Sequence, residues 1–312
     1  MIYVLLSLLI ILALCVLREP RNFGVIIFMG IFSLLASMSF FILGAPDVAM
    51  AEAAIGAFTT IFFVICFEKY DDLKVDQKLT QKKSRKKRVS DLRKFIAPLG
   101  FSALLFILFI HFSPEGEANA FLRNQYLLYF MYDVGGENAV TAIYLGYRVY
   151  DTLFEALVLI ASVIAVGHMS YFSGMASKDG ERSGVERSIV VQAVMHIIPV
   201  VILLFGVYLI LNGHMTAGGG FQGGLFIAAF FVCRYLSYGI FDLPVGRIFR
   251  MEEFVFSFTV LLVIFVIFLG ASAYLPPIFQ NIYMIVMNLL IGMKVACGFI
   301  ILFYHYIAIE RR

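Results

Sequence analysis

The sequence predicts an all-α polytopic membrane protein with about nine transmembrane helices, N-terminus out and C-terminus in. Three observations predict it. Of 312 residues, 62% are hydrophobic and 14% charged, with a mean hydropathy of +0.93. A soluble domain is about 45–50% apolar and about 25% charged. Apolar runs recur at 2–17, 23–43, 46–67, 95–112, 151–170, 189–211, 221–240, 253–273 and 282–308. Most reach the roughly 20 residues that a helix needs to cross ~30 Å of hydrocarbon. The basic residues then gather on alternate connections. With the linker 68–94 in the cytoplasm, the segments 18–22, 171–188 and 241–252 and the C-terminus lie there too. All of the 24 Lys and Arg residues except Arg123, Arg148 and Lys294 fall in or beside these segments, as the positive-inside rule requires.

Each run has its own justification. The first is short and lacks a basic leader region and a small-residue cleavage site, so it reads as a retained helix. The second and third are uninterrupted until the hydrophilic linker. That linker contains Gln81-Lys82-Lys83-Ser84-Arg85-Lys86-Lys87-Arg88. It reads as a topological anchor touching anionic membrane lipids, with nucleic-acid contact the weaker alternative. The segment 113–150 is the least regular and carries Glu115, Glu117, Asp133, Gly135, Gly136 and Glu137. Its end, Asn138 to Arg148, suits a short lateral or re-entrant helix. The fifth run opens on charged residues, and the last four are clear. The polar break at 171–188 and the basic linker divide the chain into modules of three, two and four spans: 1–94, 95–188 and 189–312.

Charge inside the spans carries the chemistry. A carboxylate in hydrocarbon costs about 2.5–3.5 kcal/mol on insertion scales, so it is paired, hydrated or used. Asp47 and Glu52 stand at the head of the third run, in Gly44-Ala45-Pro46-Asp47-Val48-Ala49-Met50-Ala51-Glu52. Pro46 fits the first helical position, and a helix dipole favours an acid just after it. Asp47 therefore reads equally as a helix-start residue. Glu52 lies ~7.5 Å further along the helix and is no cap. Gly56 and Thr60 share its face, which can pack closely against another helix or admit water. Asp151 and Glu155 lie one turn apart on one face. Two such acids repel unless one holds a proton or Arg148 neutralises the charge. Lys294 sits near the middle of the last span, too deep to snorkel easily. Its alternatives are proton exchange and a static pair with an acid from another subunit. Glu52, Asp47, Asp151, Glu155 and Lys294 thus form a candidate cation or proton path. Na+ could dwell transiently at Glu52, Asp151 or Glu155.

The stretch Gly213-His214-Met215-Thr216-Ala217-Gly218-Gly219-Gly220-Phe221-Gln222-Gly223-Gly224 is the most distinctive. Five glycines in seven residues do not make an ordinary lipid-facing helix. Such backbone belongs where it lines a cavity or is buried in protein. Gly218, Gly219, Gly220, Gly223 and Gly224 are therefore structural candidates. His214 reads as a loop histidine bonded to carbonyls or as a proton donor at the outer mouth. No GK[ST] follows, so phosphate binding is excluded. His111, His168 and His305 lie near span ends, and His196 lies within a span as a packing residue. The four cysteines are scattered, with no CxxC or Cys/His cluster. Neither a resident metal nor another cofactor, nor any catalytic motif, is indicated.

These motifs carry a resemblance. Gly44 to Gly56, with Pro-Asp-Val-Ala-x-x-Glu-Ala, resembles an MbhD-like three-span subunit. Asn138 to Glu155, with Val140-Thr141, Tyr147-Arg148 and Asp151-Thr152-Leu153-x-Glu155, resembles the adjoining MbhE-like module. Residues 190 to 309, with Gly-His-x-x-x-Gly-Gly-Gly-Phe-x-Gly-Gly and Ile-Gly-x-Lys-Val, resemble MnhB/MrpB (MbhF-like) subunits. The family is the Mrp-type multisubunit cation/proton antiporter and the related membrane-bound hydrogenases. The resemblance implies a subunit of a cation-translocating module in the cell (cytoplasmic) membrane. It implies MnhC-like, MnhG-like and large antiporter subunits as partners, with a hydrogenase or ferredoxin-oxidising arm in the respiratory complexes, and no nucleic acid. A scaffold that only couples neighbouring subunits is the alternative. Ala217 stands where the family usually has Pro. The absence of a large antiporter subunit in front of the three modules favours the respiratory context over a free-standing Mrp antiporter.

Overall fold

A computed structural model describes residues 2–77, 100–108, 110–111, 117–173, 189–238, 244–268 and 276–308. The basic run Gln81–Arg88, Glu115, the polar break after Ser173, and Arg311 and Arg312 lie outside the described residues. The chain forms two units, residues 1–68 with 130–312, and residues 69–129.

Every described element is helical. In order they are α1 (Ile2–Arg18), α2 (Asn22–Ile42), α3 (Pro46–Gln77), α4 (residues 100–108), α5 (Glu117–Asp133) and α6 (Ala139–Ala142). A π-helical turn (Ile143–Tyr147) follows, then α7 (Val149–Ser173), α8 (Ile189–Asn212), α9 (Gly220–Tyr238), α10 (Val245–Phe268) and α11 (Pro277–Ala308). Five helices are long and apolar enough to cross a membrane: Asn22–Ile42, Pro46–Phe67, Val149–His168, Gly246–Phe268 and Ile278–Tyr306. Three shorter apolar helices, Ile2–Arg18, Ile197–Asn212 and Gly220–Tyr235, accompany them. The chain is an all-α, multi-pass membrane protein.

Two elements depart from expectation. Glu117–Asp133 is regular helix within the segment expected to be irregular. Helix α10 begins at Val245 rather than 253, and the Pro244 carbonyl accepts from the Arg247 and Ile248 amides of its first turn. Charged residues read as loop are therefore the first turns of a helix, and Glu252 is carried into the protein. The short helix expected at Asn138–Arg148, lateral or re-entrant, is α6 with the π-helical turn. Asn138 caps it, its Oδ1 accepting from the Val140 and Thr141 amides.

In the larger unit, α11 is the central helix. One core joins Ala54, Phe58 and Ile65 of α3 to Leu225, Ala228 and Val232 of α9 and to Ile300 and Phe303 of α11. A second joins Val134, Ala142, Leu145 and Val149 to Val263 of α10 and to Met284, Met287, Ile291 and Val295 of α11. Lipid is as apolar as these side chains, so helix association here rests on close van der Waals packing. Glycines set that closeness. A Cβ at Gly220 or Gly224 would lie 2.5 Å from the carbonyl oxygen of Asn288 or Gly292 on α11. A Cβ at Gly223 would lie 2.6 Å from the Gly206 carbonyl on α8. The glycine run thus gives α9 two smooth faces, one against each neighbour. Helix α1 packs on α2 and buries no residue of its own.

Candidate functional site

The start of α3, the glycine loop, α6 and α11 meet in a buried polar cluster. Asp47 occupies the first turn of α3, as its Pro46 neighbour requires, yet it is buried. Its Oδ1 accepts from Asn138 Nδ2 at 2.9 Å and from the Gly218 amide at 3.1 Å. Asn138 Nδ2 also approaches the carbonyls of Thr216 at 2.9 Å and Gly213 at 3.3 Å. Thr141 donates to the Gly213 carbonyl at 2.6 Å. The Tyr144 hydroxyl, carried on the π-helical turn, donates to Asn288 Oδ1 at 3.0 Å. The Gly220 amide donates to the same oxygen at 3.0 Å, so Asn288 of α11 caps α9. A Cβ at Gly219 would overlap the Tyr144 hydroxyl. Burial pushes the Tyr144 phenol up to about 12, the charges of Asp47 and Glu155 adding to it and the Thr141 hydrogen bond opposing it. Tyr144 therefore remains a neutral donor.

These contacts make a prediction for Asp47. Asp47→Asn keeps an oxygen that can accept both bonds, so the thermal stability of the assembled protein should stay near wild type. Asp47→Ala strands the buried Gly218 amide and should cost about 1–3 kcal/mol, read as a lower melting temperature in detergent. Equal melting temperatures for the two variants would show that neither bond matters.

His214 differs from expectation. Its side chain does not bond loop carbonyls. Its own carbonyl accepts from the amides of Glu137 at 2.9 Å and Asn138 at 3.0 Å, while its buried Nδ1 has no partner. The backbone of the loop, rather than the imidazole, ties the segments together.

The remaining acids occupy separate places. Glu52 is half-buried and accepts from Ser33 Oγ of α2 at 2.6 Å. Its helix face is the close-packed alternative. Gly56 lies against Ser33, Thr60 lies against Gly30, and Ser37 donates to the Ala49 carbonyl at 2.6 Å. Asp151 is exposed and paired with Arg148, Nε to Oδ2 at 2.6 Å. Glu155, one turn on, is exposed.

Lys294 and Glu252 form a second buried centre, between α11 and α10. Nζ lies 3.0 Å from Glu252 Oε1, and the two side chains are only 2% and 1% exposed. The ammonium also stands 5.0 Å from the centre of the Phe256 ring. The expected partner of Lys294, an acid from another subunit, is corrected: the partner belongs to this chain. Glu252 escaped sequence reasoning because it stood among charges read as a loop. Asn138, Tyr144 and Asn288 escaped it because uncharged polar residues are too common in membrane helices to stand out. Among the described residues no three His, Cys, Asp or Glu side chains converge on a metal position.

Residues 7–72 match the MbhD family, the D component of MBH, and residues 190–310 match a domain related to the MnhB subunit of Na+/H+ antiporter. One chain thus holds an MbhD-like region and an MnhB-like region. Among similar proteins is the putative antiporter subunit mnhA2 of Staphylococcus aureus (strain MRSA252). It is 28% identical over 146 residues, which are 47% of this chain and 17% of the relative. The chain spans less than half the length of the curated relatives it matches. Its fold is that of a chain of the Mrp complex from Dietzia sp. DQ12-45-1b, with a TM-score of 0.64 and 19% identity. That match covers 95% of this chain and 34% of the other. A chain of the membrane-bound sulfane sulfur reductase, an archaeal respiratory membrane complex, matches with a TM-score of 0.55 and 25% identity. There the coverage is 68% of this chain and 96% of the other.

Proposed function

We propose that the chain is a membrane subunit of a multisubunit Na+/H+ antiporter module, contributing acidic residues to a cation or proton path. The observation that carries this reading is the Lys294–Glu252 pair. Two desolvated charges between apolar helices add little net stability, because losing water offsets most of their attraction. A chain that keeps them in a membrane keeps them for use. Asp47, Glu52, Asp151 and Glu155 would supply exchangeable carboxylates along the path, with Na+ dwelling transiently at Glu52, Asp151 or Glu155. The glycine residues would hold the helices that present them.

The architecture we infer has nine spans, the N-terminus outside and the C-terminus inside the cell membrane. Basic residues on alternate connections support it. Its modules would be 1–94, MbhD-like; 95–188, MbhE-like; and 189–312, MnhB/MrpB-like. Partners would be MnhC-like, MnhG-like and large antiporter subunits. A hydrogenase-type or related ferredoxin-dependent respiratory complex is the favoured host. The likeness to a chain of an archaeal respiratory membrane complex supports that host.

Vesicles containing the assembled complex provide the test. A carboxylate that binds Na+ yields it as protons compete, so apparent cation affinity should fall with pH. Glu52→Gln and Glu155→Gln remove charge at nearly constant volume. Each should leave assembly intact and lower cation-driven proton movement about tenfold, within the usual range of coupling free energies. Wild-type rates and cation dependence in both variants would make the chain a scaffold that couples its neighbours.

A further inference from the structure

Among the described residues Glu52 joins no ion pair, and Ser33 of α2 is its one side-chain partner. Helix α2 has no titratable side chain from Asn22 to Ile42. The nearer charges are occupied elsewhere. Asp47 is held by Asn138 and Gly218, Lys294 of α11 by Glu252, and Arg234 of α9 is exposed. His305 of α11 lies beside Gly167 of α7. What meets Glu52 is therefore a neutral, buried hydroxyl. That hydroxyl has two acceptors on the same residue. Ser33 Oγ lies 2.6 Å from Glu52 Oε1 and 3.2 Å from the Glu52 backbone carbonyl.

A serine has one hydrogen to give and two lone pairs to accept with, and the hydrogen turns to suit its neighbours. Beside an ionised Glu52 it points at the carboxylate. Beside a protonated Glu52 the carboxyl donates to Oγ, and the serine hydrogen turns to the backbone carbonyl. Either state keeps Ser33 and Glu52 bonded with no heavy atom moved. The neighbouring hydroxyls lack this choice. Ser37 gives its hydrogen to the Ala49 carbonyl at 2.6 Å, and Thr60 to the Gly56 carbonyl at 2.7 Å. Gly56 supplies the room, since a Cβ there would overlap Ser33 Oγ. We propose that Ser33 is the positioning residue of Glu52, holding its carboxyl group in one place whether ionised or protonated. Its use in transport rests on the cation-path reading above. As Na+ leaves, a hydronium ion gives a proton to the carboxylate. One O–H bond breaks in the donor, one forms on Glu52, and no electron moves. Ser33 keeps its own hydrogen throughout.

The test uses the assembled complex and reads Glu52 itself. Infrared difference spectra between high and low pH should contain a carboxyl band that Glu52→Gln removes. Ser33→Ala takes away one oxygen and adds no volume. It should shift that band, because the carboxyl loses its acceptor. Ser37→Ala, one turn along and bonded to a backbone carbonyl, should leave the band in place. In vesicles Ser33→Ala should lower the maximal rate of cation-driven proton movement about tenfold, a modest share of what misplacing a reacting group can cost. Combined with Glu52→Gln it should lower the rate no further, since it acts through that carboxyl. The absence of a Glu52 band, an unshifted band in Ser33→Ala, wild-type transport in that variant, or a further tenfold fall in the double variant would overturn the proposal. If the wild-type complex moves no protons in response to Na+ while the band shifts as expected, the transport reading falls and Ser33 remains the seat of Glu52.

Discussion

Lys294→Met should cost the assembled protein about 3–5 kcal/mol, because it leaves Glu252 buried without its counter-charge. The methionine keeps most of the lysine's volume, so the loss is electrostatic and not a cavity. Glu252→Gln strands the ammonium instead and should cost a similar amount, since the Phe256 ring alone compensates little. The double variant Lys294→Met, Glu252→Gln removes both charges and should recover most of the assembly. Yield of complex and melting temperature in detergent read these effects. Three variants of equal stability would mean the pair is hydrated in the complex. A stable double variant with full cation-driven proton movement would remove the pair from the path.

Gly220→Ala should disrupt assembly more than its single methyl group suggests. The new Cβ would stand 2.5 Å from the Asn288 carbonyl oxygen, 2.9 Å from Ile291 Cβ and 3.0 Å from the Gly292 amide. Two of these three atoms are backbone of α11, which cannot step aside as a flexible side chain can. Overpacking of this kind costs about 1–3 kcal/mol, and separating α9 from α11 also weakens the Gly220 bond to Asn288. Gly220→Leu should abolish assembly. Gly246 is the control. A Cβ there meets nothing within 4 Å, so Gly246→Ala should remain within about 0.5 kcal/mol of wild type. Equal yields of complex for Gly220→Ala and Gly246→Ala would show that α9 does not pack on α11 in this way.

Much of this was legible in the residues. Long apolar runs have one inexpensive state in a bilayer, the helix that satisfies its own backbone, so the class needed no partner information. A charge in such a run is costly enough to stand out, which exposed Asp47, Glu52, Glu155 and Lys294 one by one. A run of glycines is equally conspicuous, since it has no use on a lipid-facing helix. Pairing was another matter. Periodicity reports which face of a helix differs from the rest, but not which helix that face will meet. Asp47 meets the amide of Gly218 and the side chain of Asn138 only because the glycine loop and α6 fold onto the start of α3. Lys294 meets Glu252 only because α10 begins at Val245, which turned an apparent loop charge into a buried one. Asn288, Tyr144 and Asn138 lack the transfer cost that made the charges visible. The tertiary structure alone decided their places, by burying Asn138 and Asn288 and bringing the Tyr144 hydroxyl to the side-chain carbonyl oxygen of Asn288.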